Sequence, residues 1–487
     1  MFYDDLYYNM YIKRGKLLCR VQMFHTLIFG DDIMAKTIAA VATGNAAGGI
    51  GVIRISGDSA IETAAKVFSA ADGTELTAVE GYRAKFGKII FGGEPIDEAV
   101  ALVFRAPKSY TGEDVVELSV HGGLFIVQKT LEAVYDAGAS PAEPGEFTKR
   151  AFLNGKMDLA QAEGVANMIT AGGEAAAKAS MNLIDGALSR RIGRVLQKML
   201  DSSALMGAWV DYPDEEIPEL ENDELDKTLA DAKAGLESLI SEYDNGLIMT
   251  EGIDTAIVGK PNAGKSTLMN LLSGREKSIV TDIEGTTRDI VEGSVRLGDI
   301  VLHLNDTAGL RDGADTVEKI GIERTLEKID EAGLIIAVFD VSRPLDENDI
   351  KLIEKCRGKK AFAVVNKVDL SSDSHIDEVD SAFEKTVYIS AKDENYLNTV
   401  KDAVYDVLGA QNINSNAPML ANARQKECCK AALRYVDEAL DALRSGITFD
   451  AVNVMIDSAA DELLTLTGKK ATVEVVNNIF SKFCVGK

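Results

Sequence analysis

Four short runs between Met34 and about Arg150 alternate apolar with polar residues: GIGVIRIS, KFGKIIF, EAVALVF and DVVELSV, separated by Gly/Pro turns. Alternation at period two predicts strands with one buried face, and GLFIVQKTLEAVYDAG after the last of them predicts a helix. Residues 34–152 therefore read as a compact α+β N-terminal domain. Beyond PAEPGEFTKRAFLNGK the period lengthens to that of a helix, in Ala-rich stretches running to about Asn245 and broken by the acidic turn DYPDEEIPELEND. Residues 250–408 return to strands, now alternating with helices in βα order. The helical pattern resumes near Asn416, with Leu433, Val436, Leu440 and Leu443 on one face of CCKAALRYVDEALDALRSG. The expected architecture is an all-α helical domain, 153–249 and 409–487, interrupted by an inserted α/β domain.

Composition narrows the picture. A chain of 487 residues is too long for one core. Its 46% hydrophobic and 26% charged residues are ordinary for globular protein, and a net charge of −25 argues against coating nucleic acid by bulk electrostatics. Five cysteines with no C-x-x-C pair, and four histidines, argue against structural zinc and a disulfide framework and predict a reducing cytoplasm. No apolar run reaches the ~20 residues of a membrane helix. The first 33 residues hold four tyrosines and no clear period, and are expected to be a disordered or spurious extension before a natural start at Met34.

Chemistry enters with the third region. The strand DTAIVG leads into GKPNAGKST, Gly259 to Thr267, which fits G-x-x-x-x-G-K-[ST] and precedes the helical STLMNLLSG. Its glycines let backbone N–H groups approach phosphate oxygens, Lys265 reaches the terminal phosphates and Ser266 can ligate Mg²⁺. Three further pieces follow in order. DTAG (Asp306, Thr307, Ala308, Gly309) follows IVLHLN and can hold the Mg²⁺ shell and meet the γ-phosphate. NKVD places Asn366, Lys367 and Asp369 after AFAVVN, where Asp369 can accept from the guanine N1–H and 2-amino groups. SAK (Ser390, Ala391, Lys392) follows TVYIS and can set a backbone N–H near the guanine carbonyl. Together these predict a GTPase domain.

The glutamine that orients water in Ras-like enzymes is replaced by Leu310. Arg288 and Arg311 are candidates for an internal charge stabiliser, and the plainer reading makes both solvated switch-loop arginines. Glu318 can hold the attacking water through a second water, or be an exposed glutamate at a helix start.

From about Ala35 to Lys487 the chain resembles the MnmE (TrmE) family of tRNA uridine-modification GTPases. The resemblance rests on GGIGVIRISG, YTGEDVVELSVHGG, PGEFTKRAFLNGKMDLAQAE, GKPNAGKST, TDIEGTTRD, DTAGLR and the terminal FCVGK. It implies a potassium-dependent G domain, the ion held by Asn262, Thr281, Ile283 and Thr286, with Thr287 joining Ser266 on Mg²⁺. Asn262, Ala263, Gly264, Lys265, Ser266 and Thr267, with Thr281, Asp282, Ile283, Glu284, Gly285, Thr286 and Thr287, would then line the GTP site. Glu318 matches the family's water-orienting acid, and Lys265 and Cys484 are the other candidate catalytic groups. The N-terminal domain would bind a tetrahydrofolate, 5-formyl or 5,10-methylene, through Arg54, Glu117, Lys156 and Lys487, and would form a homodimer. With the FAD-binding partner MnmG, in a heterotetramer, such proteins install an aminomethyl-type (carboxymethylaminomethyl) group at carbon 5 of the wobble uridine of certain tRNAs. The tail is then expected beside the folate pocket. One departure stands out: the family's Pro-Pro-Gly-Arg-Gly-Gly is GNAAGG here, Gly44 to Gly49, with no arginine.

The competing reading is a regulatory switch in ribosome assembly like the Era or Der families. One phosphate loop, no KH-like segment and a G domain set inside a helical pair argue against it. A folate-binding scaffold with a vestigial GTPase is weaker still, because the nucleotide motifs are intact. His121 reads as a turn or core histidine, Cys428 and Cys429 as packed helix residues, and Arg190, Arg191, Arg194 and Lys198 as a solvated helical face rather than a tRNA stripe.

Overall fold

The computed structural model describes residues 36–44, 46–211, 222–274, 294–298, 300–304, 329–370, 376–409 and 419–487. The chain divides into two compact units. The first holds residues up to 163 and 464–487, and the second holds most of the residues between.

Four of the seven strands of the first unit follow the alternating runs. The strands are β1 (Ile38–Val41), β2 (Ile50–Ser56), β3 (Phe68–Ala70), β4 (Arg83–Phe91), β5 (Glu94–Phe104), β6 (Val115–His121) and β7 (Ser140–Pro141). They form one seven-stranded sheet in the order β3-β4-β5-β6-β2-β1-β7, antiparallel except where β1 meets β7. In β2, Ile53 and Ile55 turn to the core with Val116 and Leu118 of β6, under the helices Ala60–Val67 and Leu124–Asp136. Arg54, between them in sequence, takes the opposite face and lies directly across from Glu117.

The helix Glu146–Leu153 is unusual because all eight of its residues are buried, charged ones included. Arg150, with no solvent-exposed surface, donates to Glu113 at 3.1 and 3.2 Å and to Glu146 at 2.7 and 3.2 Å. Ser56 donates to the same Glu113 carboxylate at 2.6 Å. Burial pushes the Glu113 carboxyl up, and the Arg150 charge and the Ser56 and Arg150 hydrogen bonds pull against that. Lys149, also buried, donates to Asn477 of the C-terminal helix Val473–Phe480 at 2.8 Å. The last residues thus pack with the N-terminal domain; the sequence reading counted 409–487 with the second helical half and expected the tail beside the N-terminal domain's folate pocket. The reason is the apolar face of that helix, which buries Phe480 against Phe152, and Phe483 beyond it.

In the second unit, β8 (Ile253–Gly259), β9 (Ser294–Leu297), β10 (Ile300–Leu304), β11 (Leu334–Asp340), β12 (Ala361–Asn366) and β13 (Thr386–Ile389) form a six-stranded sheet. The order is β13-β12-β11-β8-β10-β9, parallel except for the β9–β10 pair. All of β11 and β12 is buried, as expected for central parallel strands covered on both faces. One face packs the helices Lys265–Ser273 and Leu397–Leu408, the other Glu347–Cys356 and Asp377–Ala382.

The helical segments before and after this sheet domain in sequence meet each other. The helix Asn222–Glu251 packs along Ala423–Arg444, with Lys233 to Asp437 at 2.6 Å and Arg444 to Asp226 at 2.6 and 3.1 Å. The chain is therefore an α+β domain followed by an all-α domain that an α/β P-loop GTPase domain interrupts.

Replacing Arg150 with Met should destabilise the N-terminal domain by about 3–5 kcal/mol, because it leaves two buried carboxylates without their cation. Urea unfolding would measure it. Glu113 has a raised carboxyl in the fold, so its protonation favours the folded form, and the deficit of Arg150→Met should shrink as the pH falls. A deficit that grows toward low pH would contradict this account.

Candidate functional site

In an open parallel sheet with helices on both faces, ligands bind in the crevice outside the carboxyl ends of the strands. Here β8 ends at Gly259 and passes into the phosphate loop, β11 ends at Asp340, β12 at Asn366 and β13 just before Ser390. Three of the sequence-predicted pieces are thereby brought to one edge.

The phosphate loop closes on the helix Lys265–Ser273. Gly264, at that helix's N-terminus, has φ 102°, and a Cβ there would stand 2.0 Å from Asn366 Nδ2. Only glycine fits both the dihedral and the space. Gly264 offers no side-chain cap, so the first helical N–H groups are open to an anion. Lys265 lies back on its own loop, donating to the carbonyls of Gly259 and Lys260, both at 2.7 Å. Burial lowers its ammonium pKa, and the charge of Arg343 adds to that. Ser266 is exposed at the same helix start.

Asn366 is buried and joins two of the predicted pieces. Its Nδ2 donates to the Ala263 carbonyl at 2.9 Å, and its Oδ1 accepts from the Ala391 N–H at 2.9 Å. Asp369 is exposed on the turn Val368–Leu370, where its carboxylate is open to a base. Lys367 reaches Asp340 at 2.6 Å. Burial would raise the Asp340 carboxyl, but Lys367 and Ser342 outweigh it and hold the group low. Sequence reasoning missed Asp340, although an aspartate closing an unbroken apolar run was the available signal.

Thr281, Asp282, Ile283, Glu284, Gly285, Thr286, Thr287 and Arg288 lie outside the described residues, as do Asp306, Thr307, Ala308, Gly309, Leu310, Arg311 and Glu318. Residues 1–33 lie outside them too.

A second cluster sits in the first unit, where the tail docks. Arg54 binds Glu117 with Nε and Nη2, both at 2.8 Å, and its Nη1 donates to the Gly486 carbonyl at 3.2 Å. The guanidinium lies 5.5 Å from the Tyr110 ring centre and 5.7 Å from that of Phe147. Gly486 has φ 93°, and a Cβ there would meet the Val41 carbonyl oxygen at 2.2 Å. The Cys484 carbonyl accepts from the Gly145 N–H at 3.3 Å, and its side chain is partly exposed. Lys487 is half-buried; burial lowers its pKa, and Arg54 adds to that against Glu117 and Cys484. Arg54, Glu117 and Lys487 are thus brought together. Lys156 is exposed and donates to the Pro107 carbonyl at 2.9 Å. Tyr110, which the sequence did not single out, stacks on Arg54 and shares a 2.8 Å hydrogen bond with Thr148.

Other sequence readings resolve simply. His121 is neither turn nor core: it ends β6 with its side chain 71% exposed, and Asp97 at 2.6 Å raises its pKa. Cys428 and Cys429 are buried, and burial pushes the Cys429 thiol up to about 12. In the basic stripe, Arg191 is paired with Glu242 at 3.0 Å and Lys198 with Asp231 at 3.3 Å. Among the described residues no helix is long and apolar enough to cross a membrane.

Residues 37–156 match the model described as "GTP-binding protein TrmE N-terminus", and residues 159–484 the one described as "MnmE helical domain". The tRNA modification GTPase MnmE of Acetivibrio thermocellus is 39% identical over 457 residues, 93% of this chain and 99% of that protein. The tRNA modification GTPase MnmE of Carboxydothermus hydrogenoformans is 39% identical over 461 residues, 93% of this chain and 100% of that protein. Among solved structures, the FeoB G-domain of Methanococcus jannaschii is 22% identical with a TM-score of 0.25, covering 32% of this chain and 98% of that one. With its phosphate loop, its NKVD and SAK loops and near full-length matches of this kind, the chain belongs to the MnmE family of tRNA modification GTPases and is a GTP-binding hydrolase.

Proposed function

We propose that this GTPase works with an FAD-dependent partner of the MnmG type to install an aminomethyl-type group at carbon 5 of a tRNA wobble uridine, drawing the carbon from a tetrahydrofolate. The observation that carries this reading is the docked tail. The carbonyl of Gly486 is held by Arg54, which is itself paired with Glu117, so the tail lies against this ion pair on the sheet. A carboxylate, a guanidinium and a half-buried ammonium side by side suit a ligand with both N–H donors and carboxylates, as a folate has. Lys156 would complete the set from the neighbouring segment. Cys484 would present its thiol from the same tail. A homodimer, a heterotetramer with the partner, and a cytoplasmic setting complete the proposal.

At the nucleotide site the open N–H groups of the helix Lys265–Ser273 fit the phosphates of GTP, and the exposed Ser266 hydroxyl fits Mg²⁺ with Thr287. Asn262 to Thr267, Thr281 to Thr287, Asp306 to Gly309, Asn366, Lys367, Asp369 and Ser390 to Lys392 would bind the nucleotide. Asn262, with φ 62° at an exposed turn, would give one ligand to potassium beside Thr281, Ile283 and Thr286. Glu318 would orient the attacking water. The domain limits read from the sequence, 34–152, 153–249, 250–408 and 409–487, belong to the same proposal, with residues 464–487 kept together with the N-terminal domain in any truncation.

Nucleoside mass spectrometry of tRNA from a deletion strain tests the whole reading: the wobble uridines should lose the modification, and unchanged uridines would favour an Era- or Der-like switch. GTP turnover should be several-fold or more faster in KCl than in NaCl. Equal rates would remove the potassium site and return attention to Arg288. For the tail, deleting Gly486 and Lys487 should abolish folate binding, measured by fluorescence titration, and leave GTP hydrolysis intact. If the thiol acts chemically, Cys484→Ser should lose tRNA modification while keeping folate and GTP; full modification by that variant would make Cys484 a packing residue.

A further inference from the structure

Lys260, the second residue of the phosphate loop, does two things at once. Its carbonyl takes the Lys265 ammonium at 2.7 Å. Its own side chain, only 12% exposed, leaves the loop and ends between two carboxylates, Asp349 at 2.9 Å and Asp346 closer still. Those aspartates form the capping box of the helix Glu347–Cys356: Asp346 accepts from the Asn348 and Asp349 N–H groups, and Asp349 accepts from the Asp346 N–H. Asp349 is 3% exposed, so the Lys260 ammonium is held against a carboxylate shielded from water. The segment from Asp340 to Asp349 is then held at both ends, by Lys367 of the NKVD loop and by Lys260 of the phosphate loop.

We infer that Lys260 is a positioning residue for GTP binding: anchored on Asp346 and Asp349, it sets the phosphate loop from which Lys265 moves onto the phosphates, and it braces that loop to the guanine-reading side. It touches no reacting atom. Its loss should therefore appear in the assembly of the site rather than in the chemical step.

Steady-state GTP hydrolysis by the full chain tests this. Lys260→Met should raise KM about tenfold with kcat close to wild type, as expected for lost uniform binding. Dissociation of a fluorescent GDP analogue should speed up in step. Lys260→Arg, which keeps the charge, should restore both. Asp349→Asn keeps the cap's acceptor oxygen and should reproduce the Lys260→Met effect, and the double variant should be no worse than either single, since both remove one interaction. A wild-type KM in Lys260→Met, a fall in kcat at unchanged KM, or additive losses in the double variant would each overturn the assignment. If Lys260→Met fails to fold, Asp349→Asn decides alone: unchanged KM and GDP release in that variant would also overturn it.

Discussion

A guanidinium with no access to water organises the N-terminal domain. Arg150 satisfies Glu113 and Glu146 together, and removing it would leave two buried carboxylates without their cation. Glu113 belongs to the segment leading into β6, and Glu146 starts the helix on which Arg150 sits. The ion triad thus fixes the buried helix Glu146–Leu153 to the start of β6, the middle strand of the sheet. The tail depends on that helix in turn, through Lys149 to Asn477 and through the Gly145 N–H to Cys484. The contacts of Arg54 with Glu117 and the Gly486 carbonyl join residues from widely separated parts of the sequence in the same unit.

The GTPase domain relies on a different constraint. Its central strands are apolar up to their last residues, Asp340 and Asn366, so the polar groups gather at their carboxyl ends and in the loops beyond. Loops need mutual restraint, and Asn366 supplies it by bonding to the phosphate loop and the SAK loop at once. Lys265, already partly desolvated and resting on two carbonyls, is prepared for stronger acceptors than it now has.

Much of this was readable along the chain. The runs GIGVIRIS, KFGKIIF, EAVALVF and DVVELSV became β2, β4, β5 and β6, because alternation is a local consequence of one buried face. The phosphate loop and its helix were equally legible, since their glycines and lysine serve backbone geometry at fixed spacing. The short helix Ala60–Val67 was not foreseen: eight residues give too little periodicity to separate it from the strands around it. His121 was misread for a related reason. A histidine in an apolar run looks internal, yet it is the last residue of its strand and faces Asp97 in solvent.

The sequence by itself determined the order of the domains, the insertion, the nucleotide class and the family, because each rests on residues close together in the chain or on motifs in a set order. It could not reveal that Arg150 is a fully buried charge, that Asp340 answers Lys367, or that Lys260 reaches Asp349. Nor could it show Gly486 pressed against the Val41 carbonyl, which joins residues separated by most of the chain. Those pairings follow from burial and from strand register. A charged residue has the same appearance in a sequence whether water or another residue satisfies it, and only the tertiary structure decides which.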